Sequence, residues 1–315
     1  MNKLLSKILI ALIISPLIWM LLAQQNSFKV LTISGKVSYK NSSSSTWKTL
    51  RTGEVLKMED ELLLEKNGYL VLMSSHGKTI EVLDEGTSRV REIESRLNNS
   101  QTSLGKKFTD FIVQEMMTNK SEKKEMKTFA AVVRVKPNHI ESGIPAFTAF
   151  SETEILIKWY TYPYSSKYVL SIINSDKAAI FMDITEDTVY SFDSEKLKLN
   201  KGKLYYWYVF DADNPEVVSD TNSFSLLTEQ EKNAISDSVE LLNNELTSNR
   251  TPLNQFALGK YYENNNLNND ALDQYKSAIL LIPESEELKK VFAKFLIKQK
   301  LYTLVSELLK DEDTD

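Results

Sequence analysis

The chain has 315 residues, of which 42% are hydrophobic, enough for two or three domains that each bury a core. Its formal net charge of -5 gives no general basic field, and no cluster of Lys and Arg with interleaved aromatic residues compensates for it, so nucleic-acid binding is not expected. The sequence has no Cys, which excludes disulfides, thiol nucleophiles and thiolate metal ligands but leaves the compartment open.

The first 23 residues have the pattern of an export signal. Two lysines precede an apolar run over residues 8–23, which is shorter than the roughly 20 residues of a typical membrane-spanning helix. Because Ala23 is a small residue suited to the position before a cut, we expect cleavage after it. The alternatives are an uncleaved anchor and a buried core helix. The sequence thus predicts an exported protein of the periplasm or cell envelope, free or anchored to the inner membrane by residues 4–23.

Residues 28–93 alternate apolar and polar side chains in short runs, a pattern that predicts β-strands. The predicted inward face consists of Val30, Ile33, Val37, Val55, Leu56, Leu62, Leu64, Leu70, Leu72, Ile80 and Val82. Turns or bulges are expected at Gly35, Gly53, Gly68, Gly77 and Gly86. The stretch NSSSS at residues 41–45 predicts a hairpin tip, after which Trp47 enters the next strand.

The same region carries the spaced motifs G-x-V-x-Y, W-x-x-L-x-x-G-x-x-L and L-x-x-x-x-N-G-x-L-x-L, followed by SSHGKTIEV. With these motifs, residues 28–93 resemble the FecR domain, a small β-domain of the cell envelope. The resemblance implies fold-defining and not catalytic roles for Gly35, Trp47, Gly53, Gly68 and Gly77. FecR signalling proteins place a cytoplasmic segment before a membrane helix, whereas only seven residues precede the apolar run here. Direct control of a sigma factor is therefore not implied.

Residues 95–136 are polar and charged, and we interpret them as a linker that contains an amphipathic helix. Its apolar residues at helical spacing are Leu104, Phe108, Phe111, Ile112 and Met116. The helix is expected to pack on a neighbouring domain, with a partner or a membrane as the alternative. The mixed run from Lys120 to Lys127 predicts a solvated face or linker.

Residues 137–227 return to a strand pattern, in EILIKWYTY, KYVLSII, AAIFMDI, TVYSFDSEKLKL and KLYYWYVFDADN. About seven short strands fit an immunoglobulin-like or fibronectin III-like sandwich with Trp159 in its core. The segment LNKGKLYYWYVFDAD resembles the tyrosine-corner region of fibronectin type III domains, which implies that the Tyr205 hydroxyl bonds to the backbone. The residues that follow Tyr205 would alternate between core and solvent. The alternative is a carbohydrate-stacking platform of exposed aromatic rings.

Residues 228–310 predict a helical region. Thr228 and Glu231 have the spacing of a capping box, which predicts a helix over residues 228–247. Its apolar face is formed by Ala234, Ile235, Val239, Leu242 and Leu246.

A helical hairpin is predicted next, because Leu258, Gly259, Tyr262, Ala271, Tyr275, Ala278 and Pro283 have the spacing of a tetratricopeptide repeat. The segment resembles that family in all seven positions. The resemblance implies that two helices approach closely at the small residues and that Pro283 ends the second helix. Gln255 stands where the repeat usually has Trp, and Asn266 replaces the turn Gly, which is tolerable because Asn accepts left-handed conformations.

One repeat cannot bury its own face, so the segments 228–247 and 284–310 are expected to be its neighbours. A second, degenerate hairpin is predicted from Leu288, Val291, Phe292, Phe295, Leu296, Leu301, Leu304, Val305 and Leu308. Residues 311–315 form an acidic tail. The helical block offers a groove for a peptide or partner helix, or else it only caps the preceding sandwich.

No catalytic, cofactor or metal site is predicted. His76 and His139 have no partner at metal-ligand spacing, and the chain has no phosphate loop, nucleophile elbow or zinc-protease motif. The stretch DADNPE at residues 211–216 could offer oxygen ligands to calcium, but it lacks the EF-hand spacing and is better explained as a loop of turn-forming residues.

The sequence therefore predicts a multidomain protein: mainly β in its N-terminal part, with a small β domain and a sandwich, and all-α in its C-terminal block. The favoured function is a non-enzymatic bacterial cell-envelope scaffold or adaptor that binds another envelope protein or a peptide, without a cofactor or nucleic acid. The alternatives are a membrane-anchored signalling accessory of the FecR type and a module that binds carbohydrate or peptidoglycan. Membrane contact is expected only through the N-terminal segment, if that segment stays uncleaved.

Overall fold

The computed structural model describes residues 27–95, 103–117, 138–246 and 251–309. The chain divides into two compact units, residues 1–99 and residues 100–315. The expected export signal, the run from Lys120 to Lys127 and the acidic tail lie outside the described residues. Over the described ranges, no helix combines the length and the apolar character needed to cross a membrane.

The first unit consists of two four-stranded antiparallel sheets. Its strands are β1 (Ser27–Ser34), β2 (Val37–Lys40), β3 (Lys48–Thr49), β4 (Val55–Lys57), β5 (Glu61–Leu64), β6 (Tyr69–Ser74), β7 (Thr79–Val82) and β8 (Gly86–Arg89), followed by the short helix α1 (Val90–Ser95). The strand orders are β4-β1-β6-β7 and β3-β2-β5-β8. The predicted hairpin tip at residues 41–45 connects β2 and β3.

The core of this unit follows the alternation of the strands. It is formed by Phe28, Val30, Val37, Leu50, Leu56, Leu62, Leu64, Leu70, Leu72, Val82, Val90 and Ile93, with Ile33 and Ile80 at its margin. The predicted inward position of Val55 is wrong, because this side chain is 60% exposed. Successive residues of a strand point to opposite faces, so Val55 and Leu56 cannot both enter the core.

Three of the glycines in the FecR-like pattern have left-handed backbone conformations: Gly35, Gly53 and Gly77, with φ of 71°, 89° and 77°. Gly68 is constrained differently, because an added Cβ would lie 2.8 Å from the carbonyl oxygen of Glu65. Trp47 lies outside the core and is 37% exposed, with Lys40 Nζ 5.0 Å from the centroid of its ring. The sequence motif therefore combines backbone constraints with one surface aromatic residue.

The second unit begins with helix α2 (Ser103–Met117), and a β-sandwich follows this helix in the chain. Its strands are β9 (His139–Ile140), β10 (Phe147–Phe150), β11 (Glu154–Lys158), β12 (Tyr168–Asn174), β13 (Ala179–Thr185), β14 (Val189–Asp193), β15 (Leu204–Asp211), β16 (Val218–Ser219) and β17 (Asn222–Leu226). One sheet has the order β10-β17-β15-β12-β13, with β16 and β9 attached, and β11 pairs with β14 in the other. His139 lies in β9, opposite Val218 of β16.

Strand β15 shows why this sandwich is stable. Tyr205, Trp207 and Val209 are buried between the sheets, while Tyr206 and Tyr208 lie half-buried on the outer face. Trp207 is 0% exposed, and Trp159 packs edge-on against Tyr168 with ring centroids 5.7 Å apart. The aromatic run therefore fills the core from alternate positions.

The remaining helices are α3 (Glu229–Leu246), α4 (Pro252–Asn264), α5 (Asn268–Leu281), α6 (Glu286–Lys298) and α7 (Tyr302–Leu308). The predicted capping box is confirmed: the Thr228 N–H donates to the Glu231 carboxylate at 2.8 Å, and the Glu231 N–H donates to Thr228 Oγ1 at 3.3 Å. Thr251 caps α4 ahead of Pro252, and Ser285 caps α6, so the breaks between these helices are set by local sequence.

Helices α4 to α7 form two consecutive hairpins whose turns rest on the sandwich. The Ala149 N–H donates to the Asn266 carbonyl at 2.8 Å, and the Ala146 N–H donates to the Gln299 carbonyl at 3.1 Å. The Thr303 hydroxyl donates to the Glu141 carboxylate at 2.6 Å. The sandwich and the helical block, which the sequence pattern separates near residue 227, therefore form one compact unit.

Candidate functional site

One surface of the second unit is the face that α4 and α6 present together. We name it the helix groove and define it by Lys260 and Glu263 of α4, Tyr275 of α5, and Val291, Lys294, Phe295 and Lys298 of α6. Helices α4 and α6 are the first helices of two consecutive hairpins. Helix α2 packs along this face and also contacts α3. In sequence, α2 precedes the sandwich, whereas α4 and α6 follow it.

Helix α2 meets the groove with an amphipathic face. Ile112, Val113 and Met116 are buried, and Thr109 completes the same row one turn earlier. Burial of Ile112 and Met116 agrees with the predicted apolar face, while the side chains of Leu104 and Phe108 lie outside the described set. Helix α2 therefore packs on the helical block, which belongs to the same compact unit.

Two side chains of α2 make specific contacts with lysines of the groove. Lys260 Nζ lies 4.3 Å from the centroid of the Phe111 ring, a cation–π geometry. Lys294 Nζ lies 3.1 Å from a carboxylate oxygen of Glu115. The groove thus recognises an aromatic residue and, four residues later, an acidic one on the same helix face.

Glu263 is the buried charge of the groove, with a side chain only 8% exposed. Lys298 Nζ lies 2.8 Å and Lys260 Nζ 3.0 Å from its carboxylate oxygens. Burial alone would raise the pKa of Glu263, but the hydrogen bonds and charges of Lys298 and Lys260 outweigh burial, so its pKa lies below the ordinary 4.5. Glu263 is therefore held as an anion inside the helical block.

Tyr275 connects this charge cluster to the hairpin core. Its hydroxyl donates to Glu263 Oε2 at 3.2 Å, and its ring packs 5.0 Å from that of Phe295. Burial, and then the neighbouring Glu263, raises the pKa of Tyr275 well above the ordinary 10. Tyr275 therefore stays protonated and acts as a hydrogen-bond donor.

A cavity of about 250 Å³ remains between α2 and the groove. Phe111 and Glu115 close it on the α2 side. On the groove side its lining includes three lysines and one glutamate. Such a surface favours a helix that supplies carboxylates as well as apolar side chains.

The residues of the tetratricopeptide-like pattern lie together in the α4–α5 hairpin. An added Cβ on Gly259 would lie 2.8 Å from the Tyr275 ring, while Ala271 and Ala278 are fully buried. Leu258 is buried, Tyr262 is half-buried and Pro283 is exposed just beyond the end of α5. Asn266 has φ of 61° in the turn. The small residues are therefore the sites of closest helix approach.

Sequence patterns missed the charged residues of the groove. Lys260 and Glu263 are three residues apart, and Lys294 and Lys298 are four apart, so each pair lies on one helix face. That spacing is compatible with a charged binding face, but it is also the ordinary pattern of a solvated helix. Only the packing of α2 distinguishes a binding face from a solvated one. Local sequence patterns cannot show this packing, because Glu115 and Lys294 are 179 residues apart in sequence.

Tyr205 and Asp211, two other positions named from the sequence, form hydrogen bonds with the backbone of the sandwich. The Tyr205 hydroxyl accepts a hydrogen bond from the Asn200 N–H at 2.7 Å, and its ring stacks on Phe224. Asp211 accepts hydrogen bonds from the backbone N–H groups of Asp213 and Asn214 at 2.8 and 2.7 Å, so its carboxylate stabilises a turn. No cluster of His, Cys, Asp or Glu suited to a metal ion occurs in the part of the chain that the structure describes.

A second cavity, of about 390 Å³, lies between the sandwich and α5. Trp159 and Tyr160 form part of its sandwich wall, and Leu272 and Asp273 part of its helical wall. Burial, and then the carboxylates of Glu307 and Glu141, raises the pKa of Tyr160 to about 12. The Tyr160 side chain is therefore uncharged at neutral pH and forms part of the cavity wall.

Comparisons with known proteins find a distant likeness among solved structures. No protein-family model matches the chain, and a search of curated proteins finds no match. Among solved structures, the chain is similar to the FN1–FN3 domains of chicken CNTN1, with 10% sequence identity and a TM-score of 0.21. The likeness covers 65% of this chain and 58% of that one, so the chain spans less than two thirds of that structure.

Proposed function

We propose that this chain is a non-enzymatic scaffold or adaptor of the bacterial cell envelope whose helix groove binds an amphipathic helix of another envelope protein. The observation that carries this proposal is the seating of α2 on α4 and α6. A face that accepts one amphipathic helix through buried aliphatic side chains, a cation–π contact and an ion pair has the chemistry to accept another.

We further propose that the chain combines a FecR-like first unit, a fibronectin-like sandwich and a tetratricopeptide-like hairpin. The close approach of Gly259 to Tyr275 supports a tetratricopeptide-like hairpin, a type of repeat that presents binding surfaces between stacked helices. The positive φ values of Gly35 and Gly53 support a FecR-like first unit. Two-sheet packing around Trp159 and Trp207 supports a fibronectin-like sandwich. The basic and apolar start of the sequence supports export.

The sandwich has the role of a support in this proposal. Its residues Glu141, Ala146 and Ala149 hold the turns of both hairpins through the hydrogen bonds described above. A groove whose two helices are fixed at their turns is pre-organised, which lowers the entropic cost of binding. In the aromatic cluster that motivated the glycan hypothesis, Trp207 is fully buried, whereas Tyr208 lies half-buried on the outer face.

The test uses the full chain with Ile112→Asp and Val113→Asp, a variant in which α2 loses its buried aliphatic side chains and leaves the groove. A fluorescent peptide with the native sequence of residues 103–117 is titrated against it, and anisotropy is measured. We expect saturable binding. Lys294→Glu, added to the same variant, should weaken binding because it places a carboxylate opposite Glu115 of the peptide.

A peptide that carries the same two Asp substitutions is the matched control, and it should not bind. Far-ultraviolet circular dichroism establishes that the variant chain remains folded. A folded variant that fails to bind the native peptide would contradict the proposed function.

A further inference from the structure

The cavity of about 390 Å³ between the sandwich and α5 has walls that are fixed to one another. The Asn269 N–H donates to Thr148 Oγ1 at 3.2 Å, which holds the start of α5 on β10. The Gly143 N–H donates to the Lys158 carbonyl at 2.8 Å, which holds the segment before β10 against β11. The cavity therefore belongs to one compact unit, and its volume lies within the range of about 300–1,000 Å³ that is typical of small-ligand sites.

Apolar side chains form part of the cavity lining. Ile144, Trp159 and Leu272 line it and are buried. Leu156 and Val189 also line it, on the outer face of the β11–β14 pair, and they are 38% and 43% exposed. Exposed aliphatic side chains beside buried ones offer a surface that the apolar body of a ligand would cover.

The charged residues of the lining do not neutralise one another. Lys158 comes from β11, whereas Lys276 and Asp273 come from α5 and lie about one helical turn apart. Within the described ranges, neither lysine forms an ion pair. Because the lining has two lysines and one aspartate, one positive charge remains, and a monoanionic ligand would balance it.

We propose that this cavity binds a small monocarboxylate with an aromatic or branched apolar body. The carboxylate lies between Lys158 and Lys276, and the apolar body covers Leu156 and Val189. The cavity shares no lining residue with the helix groove, so this inference goes beyond the proposed function and does not depend on it.

The test is a ligand-observed NMR titration of the full wild-type chain with hydrocinnamate, a carboxylate on a phenyl-bearing chain. We expect saturable binding with a Kd of about 1 mM or tighter, the range for a ligand of this size. Hydrocinnamide has the same shape without the charge and should bind about tenfold more weakly. Lys158→Gln and Lys276→Gln should each weaken binding of the acid about fivefold. Lys203→Gln makes the same change at an exposed lysine outside the lining and should bind like the wild type.

Two further variants test the charge and the place of the site. Asp273→Asn removes the carboxylate of the lining and should tighten binding of the acid about threefold. Val189→Trp fills the cavity from an exposed position and should abolish binding, while far-ultraviolet circular dichroism establishes that this variant is folded.

A wild-type chain that binds neither probe, or that binds the acid and the amide equally, would overturn the inference. The same holds if folded Val189→Trp binds hydrocinnamate as the wild type does, because the acid would then bind elsewhere. Phenylalanine that binds more tightly than hydrocinnamate, and is weakened by Asp273→Asn, would show that the site takes a zwitterion and that the proposed ligand class is wrong.

Discussion

Glu263 and Gly259 show how single residues define the helical block. Glu263 holds two lysines inside it, and Gly259 lets the Tyr275 ring lie against α4. Close helix approach at Gly259 could be predicted from sequence, because the spacing that resembles a tetratricopeptide repeat places a small residue there. The role of Glu263 could not, since an i,i+3 pair with Lys260 has the same pattern on any solvated helix.

The lowered pKa of Glu263 predicts a pH dependence of stability. A carboxyl group whose pKa is depressed in the folded state stabilises the protein fully above its unfolded pKa, here near 4.5, and loses that contribution as the pH falls through the lower folded value. We therefore expect Glu263→Gln to be less stable than the wild type at pH 7 and to lose less stability below pH 4.5.

Thermal unfolding of the full chain at several pH values tests this expectation. Glu216→Gln, at an exposed loop position, is the matched control and should follow the wild-type curve. Parallel pH profiles for the wild type and Glu263→Gln would count against the role assigned to this carboxylate.

Gly259→Ala should destabilise the protein because its Cβ would overlap the Tyr275 ring. Overpacking of this kind costs about 1–3 kcal/mol, against a gain in helix propensity of about 1 kcal/mol. In a Tyr275→Leu background the overlap disappears, and the same substitution should become neutral or stabilising. Urea unfolding of the four proteins measures the coupling. The same effect of Gly259→Ala in both backgrounds would show that the ring does not limit this position.

For helices and strands, sequence patterns predicted the type of each element better than they predicted which elements pack together. Period-two alternation predicted strands in both β regions, including β11 to β15 of the sandwich, and the capping box placed the start of α3. The helical spacing of Ile112 and Met116 predicted an apolar face on α2. It could not identify the surface against that face, because amphipathicity specifies that a stripe is buried and not what buries it.

The ion pair between α2 and α6 gives a prediction at this scale. Glu115→Lys places a fourth cation against the lysines of the groove, so α2 should open more often. We expect its amide-exchange protection to fall by a few fold, which corresponds to a loss of about 0.2–1 kcal/mol for a partly exposed pair. Glu115→Lys combined with Lys294→Glu should restore most of the protection. If the double substitution protects no better than the single one, the pair does not hold α2.

At the scale of the whole molecule, the coarse order of β regions followed by a helical block agrees with the sequence pattern. The sequence pattern does not predict which of these regions share one compact unit. The sandwich and the helices form one unit because the turns at Asn266 and Gln299 bond to the backbone of the 146–149 segment. Those contacts involve backbone groups of unremarkable residues, so local composition carries no signal for them.

The face of α4 and α6 holds an amphipathic helix of this chain, and a crosslink between α2 and α6 tests this contact directly. Because the sequence has no Cys, a pair of engineered cysteines at Glu115 and Lys294 can be tested with a short bismaleimide crosslinker in the intact protein. Glu141 and Thr303, also in direct contact, provide the positive control pair. We predict an intramolecular crosslink at 115–294 as efficient as the control. A control pair that crosslinks while the 115–294 pair does not would contradict the account.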